Sequence, residues 1–106
     1  MSVVVVATIT PKPGEEDAVR EALLAAIPQV HAEPGCELYA LHEGQHQGQS
    51  EFVMVERWES REALAAHGTA EALTALGAAL AGKVAGPPQV RRLEAVPVGD
   101  PAKGAL

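Results

Sequence analysis

From Val3 to Thr10 every residue except Ala7 is β-branched, which predicts a strand, and Pro11-Lys12-Pro13-Gly14 then predicts a turn. Glu15, Glu16 and Asp17 follow, placing negative charge where the first turn of a helix favours it. Val19, Leu23, Ile27 and Val30 recur at spacings of four, four and three, with Ala22 and Ala26 between, so a helix with one buried stripe is expected to about Ala32. Pro28 removes one backbone donor inside that pattern and predicts a kink rather than a stop; Pro34-Gly35 ends the helix. Cys36 to Glu43 reads as a second strand, with Leu38, Ala40 and His42 on one face and Tyr39 and Leu41 on the other. The polar stretch Gly44 to Ser50 suits a hairpin loop leading to a third strand, Phe52 to Trp58, antiparallel to the second.

Alternation along the third strand puts Phe52, Met54, Glu56 and Trp58 on one face and Val53, Val55 and Arg57 on the other. Ser60 stands where an N-cap would, and a helical piece runs from there to His67, three residues beyond Leu64 on the inward stripe. Thr69 is placed to cap a second piece beginning near Ala70, with its stripe at Leu73, Leu76 and Leu80. After a break over Gly82 to Pro88, Gln89 to Val98 reads as a fourth strand in which Val90 and Arg92 alternate with Arg91 and Leu93. Residues 1–98 are therefore expected to form one domain and residues 99–106 a flexible tail. The order strand, helix, strand, strand, helix, strand is an α+β class, the ferredoxin-like βαββαβ arrangement with a four-stranded antiparallel sheet and both helical segments on one face. Since Val3 to Val6 and Phe52 to Val55 are apolar on both faces, the second face calls for a cover, and a homodimer with sheets packed face to face supplies one.

Composition changes this picture in two places. Apolar residues make up 47% but aromatics only 3%, so helices rich in Ala must either sit close to the sheet or leave a hollow above it. A net charge of −6 with eight scattered Lys and Arg argues against a nucleic-acid surface and against acidic partners. A single cysteine, Cys36, excludes an internal disulfide and a multi-Cys metal site and reads as a small hydrophobe. Met1-Ser2 before Val3 to Ala7 has no basic region, and the apolar run is too short for a leader or a membrane span, so a cytoplasmic location is expected. No metal is expected, because no His pair stands at ligand spacing with a carboxylate.

Glu33-Pro34-Gly35-Cys36, the run Phe52 to Ser60 and Glu62-Ala63-Leu64-Ala65-Ala66-His67 resemble the antibiotic biosynthesis monooxygenase (ABM) domain of the dimeric α+β barrel superfamily, over about residues 3 to 97. The resemblance implies a homodimer, a pocket in each subunit between helices and sheet, and oxygen chemistry without flavin, metal or other cofactor. Such domains include quinol monooxygenases, polyketide-tailoring oxygenases, haem degraders and members with no known substrate. The haem degraders carry an Asn on the first strand, and a Trp and a later His on the second helical region. Val3 to Thr10 has no Asn, the position of that Trp is His67, and that of the His falls near Gly77, so the haem-degrading reading is set aside. Trp58 matches the pocket Trp of the tailoring oxygenases.

The expected function is a cofactor-independent monooxygenase that oxidises a quinol, polyphenol or polyketide-like hydroxylated aromatic with O2. The alternative is a non-catalytic small-molecule-binding or stress-related barrel protein that keeps the pocket. A substrate that reduces oxygen directly asks for an apolar pocket with one base near a phenolic oxygen. His67 and His42 are the candidate bases, because imidazole titrates nearest neutrality. Trp58 is assigned to the pocket wall with an indole donor, and Tyr39, Phe52, Met54, Glu56 and Leu64 to its lining. Plainer alternatives stand beside these: Trp58 as core packing, Tyr39 as part of the dimer interface, His67 as a cation at a helix C-terminus, His42 as a solvated side chain, Glu56 as half of a structural pair with an Arg. His31 and His46 read as surface residues.

Overall fold

The computed structural model describes residues 2–106. The elements are β1 (Val3–Ile9), α1 (Glu16–His31), β2 (Cys36–His46), β3 (Gln49–Trp58), α2 (Arg61–Gly68), α3 (Glu71–Leu80) and β4 (Gln89–Leu93). The strands form one antiparallel sheet in the order β2-β3-β1-β4, the ferredoxin-like arrangement, with the helices on one face. The β1–β3 register sets Val5 opposite Glu56, Ala7 opposite Met54 and Ile9 opposite Phe52, and this row of residues points at the helices. Phe52, Met54, Glu56 and Trp58 are all buried, as the alternation requires, while Val53, Val55 and Arg57 on the other face are only half-buried.

Two clusters make the core. Beneath α1 and α3, Ile9, Val19, Leu23, Phe52, Leu76 and Leu80 pack together. At the other end Val5, Val30, Tyr39, Met54 and Trp58 do so, with Leu64 of α2 against them. Helix α1 continues through Pro28 to His31, so the missing donor does not end it.

Local chemistry moves four expected boundaries. The hairpin between β2 and β3 is not a seven-residue loop: both strands extend to the pair His46 and Gln49, leaving Gln47 (φ 52) and Gly48 (φ 79) as a two-residue turn. Positive φ at both central residues is the primed turn that matches strand twist, and it lets polar residues continue the ladder. The imperfect alternation of β2 comes from a bulge: Cys36 pairs with Trp58 but Leu38 pairs with Arg57, so Glu37 is the extra residue and Tyr39 faces inward. β4 stops at Leu93 rather than Val98 because its partner there is Val4, close to where β1 begins. Thr69 does not cap α3; its hydroxyl donates back to the Ala66 carbonyl at 3.3 Å, and Ala70 takes the N-cap position without a side-chain bond.

Gly35 joins the first half of the chain to the second. Its φ of +84° suits glycine, and a Cβ there would lie 2.5 Å from the Ala63 Cβ in α2. Its carbonyl accepts from the Glu59 N–H at 2.8 Å, so the backbone after α1 lies directly against the entry to α2. Gly35→Ala is expected to destabilise the fold by about 2 kcal/mol through positive φ and the clash together. Urea denaturation of the two proteins measures this; equal midpoints would show that the segment yields freely.

Candidate active site

Ser60 has extended backbone, and its Oγ accepts from the Ala63 N–H at 3.1 Å, which starts α2 two residues after β3 ends. The helix therefore folds back over the sheet, and six residues into it His67 lies against the end of the strand it came from. The His67 imidazole stacks on Trp58 with ring centroids 4.5 Å apart and planes at 29°. Tyr39 meets His67 edge-on at 5.5 Å and Trp58 edge-on at 6.4 Å. All three are buried.

Two carboxyl groups complete the cluster. Glu33, just past α1, holds its Oε1 2.9 Å from Nδ1 of His67, an arrangement in which Nδ1–H donates and Nε2 is the ring nitrogen left for a ligand. Its Oε2 is buried with no hydrogen-bond partner among the described residues, so Glu33 is committed to this one contact. Glu56 accepts from the Trp58 indole N–H at 2.8 Å; its partner is thus an indole, not the Arg expected from sequence. Burial pushes the Glu56 carboxyl above its ordinary value, against smaller opposing effects from the indole hydrogen bond and then from His67, and the Glu33 charge adds the smallest contribution, upward. Burial likewise raises the Tyr39 phenol, helped by Glu56 and Glu33, so Tyr39 stays protonated near neutral pH.

This cluster opens on a cavity of about 480 Å³ between the sheet and the pair α2 and α3. Tyr39, Met54, Glu56, Leu64 and His67 line it as the sequence suggested. Three expected site residues do not. Trp58 is fully buried behind His67, so it is backing for the imidazole rather than wall. Phe52 belongs to the core beneath α1, with the Arg20 guanidinium 5.6 Å from its ring centre. His42 is opposite Val53 on the other face of the sheet, exposed, with Nδ1 3.2 Å from the Ala40 carbonyl oxygen, and it is remote from the cavity because β2 residues of its parity point away from the helices.

Sequence reading did not assign Glu33, Arg61 or Arg92 to the site. Arg61 and Arg92 line the cavity at its other end. The signal for Arg92 was present, since alternation in β4 pairs it in parity with Val90, and both face the helices through their register with Val5 and Ala7. Glu33 stands in a segment read as a helix stop and as part of the family resemblance, and nothing local to it announces a partner 34 residues away.

A model of the antibiotic biosynthesis monooxygenase family matches residues 2–79. The chain belongs to this family. Among solved structures it is similar to Rv0793 from Mycobacterium tuberculosis, at 32% identity over 94% of this chain and 98% of that one, with a TM-score of 0.81. It is also similar to PA3566 from Pseudomonas aeruginosa, at 28% identity over 87% and 91% of the two chains, TM-score 0.77. A third similar structure, titled an antibiotic biosynthesis monooxygenase, has 28% identity, covers 90% of this chain and 99% of its own, and gives a TM-score of 0.79. No curated protein matches the chain. In this ABM protein no helix is long and apolar enough to cross a membrane, and no group of three or more His, Cys, Asp or Glu among the described residues is arranged to hold a metal ion.

The buried Glu56 makes stability depend on pH. Its folded value lies above the unfolded carboxyl value of about 4.3, so the folded state holds the proton more tightly. That contribution is complete below the unfolded value and is lost as pH rises through the folded one. Glu56→Gln keeps an acceptor for the indole and removes the ionisation, so the variant should gain stability relative to wild type as pH rises from 4 to 8. Denaturant unfolding of both proteins at each pH measures the gap; a gap independent of pH would rule out a buried, raised carboxyl.

Proposed function

We propose that this ABM protein is a cofactor-independent monooxygenase that oxidises a quinol-like or polyphenolic hydroxylated aromatic with O2. The observation that carries the reading is the buried Glu33–His67 pair beside a largely apolar cavity. With Nδ1 bonded to a carboxylate, Nε2 accepts the proton of a phenolic O–H, and Glu33 stabilises the imidazolium so formed. The phenolate is the electron source. One oxygen atom of O2 is inserted at a ring C–H to give a C–OH; the other leaves as water with the hydrogens of two phenolic O–H groups, which become the carbonyls of a quinone, so SH2 + O2 gives SO + H2O with all four electrons supplied by the substrate. The apolar walls around Met54 and Leu64 keep water from the intermediates.

The same proposal includes a homodimer. Val4, Val6, Val53, Val55, Leu38 and Ala40 share the face of the sheet that carries no helix, and their registers place them side by side across four strands' width less the edge. An apolar face of this kind is best covered by an identical one. Sedimentation is expected to give twice the chain mass of 11.0 kDa at micromolar concentration, with little response to salt. A monomer would remove this part of the proposal.

Oxygen uptake by metal-free protein over a panel of quinols and polyphenols tests the activity. Protein-dependent uptake is expected, and its absence across the panel would favour the binding-protein alternative. On an accepted substrate His67→Ala should lower turnover by roughly 10²-fold with the fold intact, within the range for loss of a general base. Trp58→Ala should cost roughly 3 kcal/mol of stability, since it deletes a large buried ring. Normal turnover in the His67 variant would remove the base assignment.

A further inference from the structure

Arg92 is a basic residue on the helix-facing side of the sheet, where its neighbours Val5, Ala7 and Val90 are apolar. In the register it lies opposite Val5, and Val5 lies opposite Glu56 on its other side, so Glu56 and Arg92 occupy one row across three strands. At the usual strand spacing their Cα atoms are about 10 Å apart. Above them, Arg61 is the first residue of α2 and His67 stands six residues on, about 9 Å along the helix axis. Arg61 and Arg92 also line a second hollow together, with Ser2, Val3 and Glu94. One end of the cavity thus carries His67 and Glu56, the other carries Arg61 and Arg92, and Val5 and Leu64 are among the apolar residues between.

Neither arginine is consumed by the protein. Arg20 is paired with Asp17 and Glu43, and Arg57 with Glu37. Arg92 has no hydrogen bond or ion pair among the described residues, and Arg61 has only Glu94 at 3.7 Å, with both side chains at least three-quarters exposed. Such a surface contact contributes little and exchanges readily for a better anion. The negative charge of the whole chain acts at long range and is screened; within contact distance two guanidinium groups decide which ligand end is held there.

We infer that the substrate is an aromatic acid: a hydroxylated fused-ring frame whose carboxylate lies at the end away from the oxygen to be deprotonated. The carboxylate binds Arg92 and Arg61, and this sets the phenolic oxygen against Nε2 of His67. The inference rests on the proposed activity for its direction, but its test does not need turnover.

The probes are anthraquinone-2-carboxylate and anthraquinone-2-carboxamide, which share a frame, differ in charge and cannot be turned over by the proposed route. Binding is followed by calorimetry and by quenching of Trp58. The acid should bind about tenfold more tightly than the amide, a ratio typical of a charge-assisted contact at a partly exposed site. Arg92→Met should abolish most of that ratio, and Arg61→Met a smaller part, while Arg92→Lys keeps some of it. Amide affinity should be unchanged in all three, which separates a lost anion contact from a lost fold. Equal affinities in the wild type, failure of both probes to bind, or a ratio that survives in the double Met variant would overturn the inference. Preference for the acid without oxygen uptake on any quinol would remove the monooxygenase reading and leave the anion end standing; uptake with no preference would do the reverse.

Discussion

The stacking of His67 on Trp58 is the contact on which the rest of this structure depends. Trp58 ends β3 and His67 ends the helix that follows, so a contact of 4.5 Å between them folds the chain back on itself across only nine positions. That return sets the height of α2 above the sheet. It also presents Nδ1 to Glu33, whose carboxylate arrives from the far end of α1 by way of Gly35 pressed against Ala63. Three separate segments thereby share one buried polar cluster. A cluster of this kind is costly unless its members satisfy one another, and here the indole serves Glu56 while the imidazole serves Glu33.

The fold was largely legible because hydrophobic period and turn chemistry agree almost everywhere in this chain. The alternation through Phe52, Met54, Glu56 and Trp58, the stripe of α1 and the Ser60 cap each specify an element and its buried face. What escaped is what depends on pairing between distant strands. The bulge at Glu37 and the early end of β4 follow from where β1 and β3 lie, which no local window contains. The hairpin was misjudged because polar residues were equated with loop, whereas Gln47-Gly48 was the turn signal and its flanks were free to pair.

Of the residues named from sequence for the candidate site, Tyr39, Met54, Glu56, Leu64 and His67 line the cavity and Trp58, Phe52 and His42 do not. His67 was found from its spacing to Leu64, and its burial is what that stripe implies. His42 was a candidate for its imidazole and Phe52 for sharing a strand face with Met54, Glu56 and Trp58; strand parity takes the first elsewhere and depth in the core the second. Trp58 was expected at the wall and lies instead behind His67, since a ring can shape a cavity without touching it. Glu33 shows the limit most clearly: a carboxylate beside a Pro-Gly stop looks like any solvated helix end until the partner helix is laid over it.

Gly77, on α3, borders the cavity, and a Cβ placed there would meet no atom within 4 Å. Glycine within a helix costs up to about 1 kcal/mol relative to alanine, so filling that position would be favourable to the helix and harmful only to whatever occupies the space. The size of the chamber is therefore uncoupled from the stability of the scaffold. Descendants of such a chain can exchange one guest for a smaller one by single substitutions that no folding constraint opposes, and a lineage can explore new chemistry without first becoming fragile.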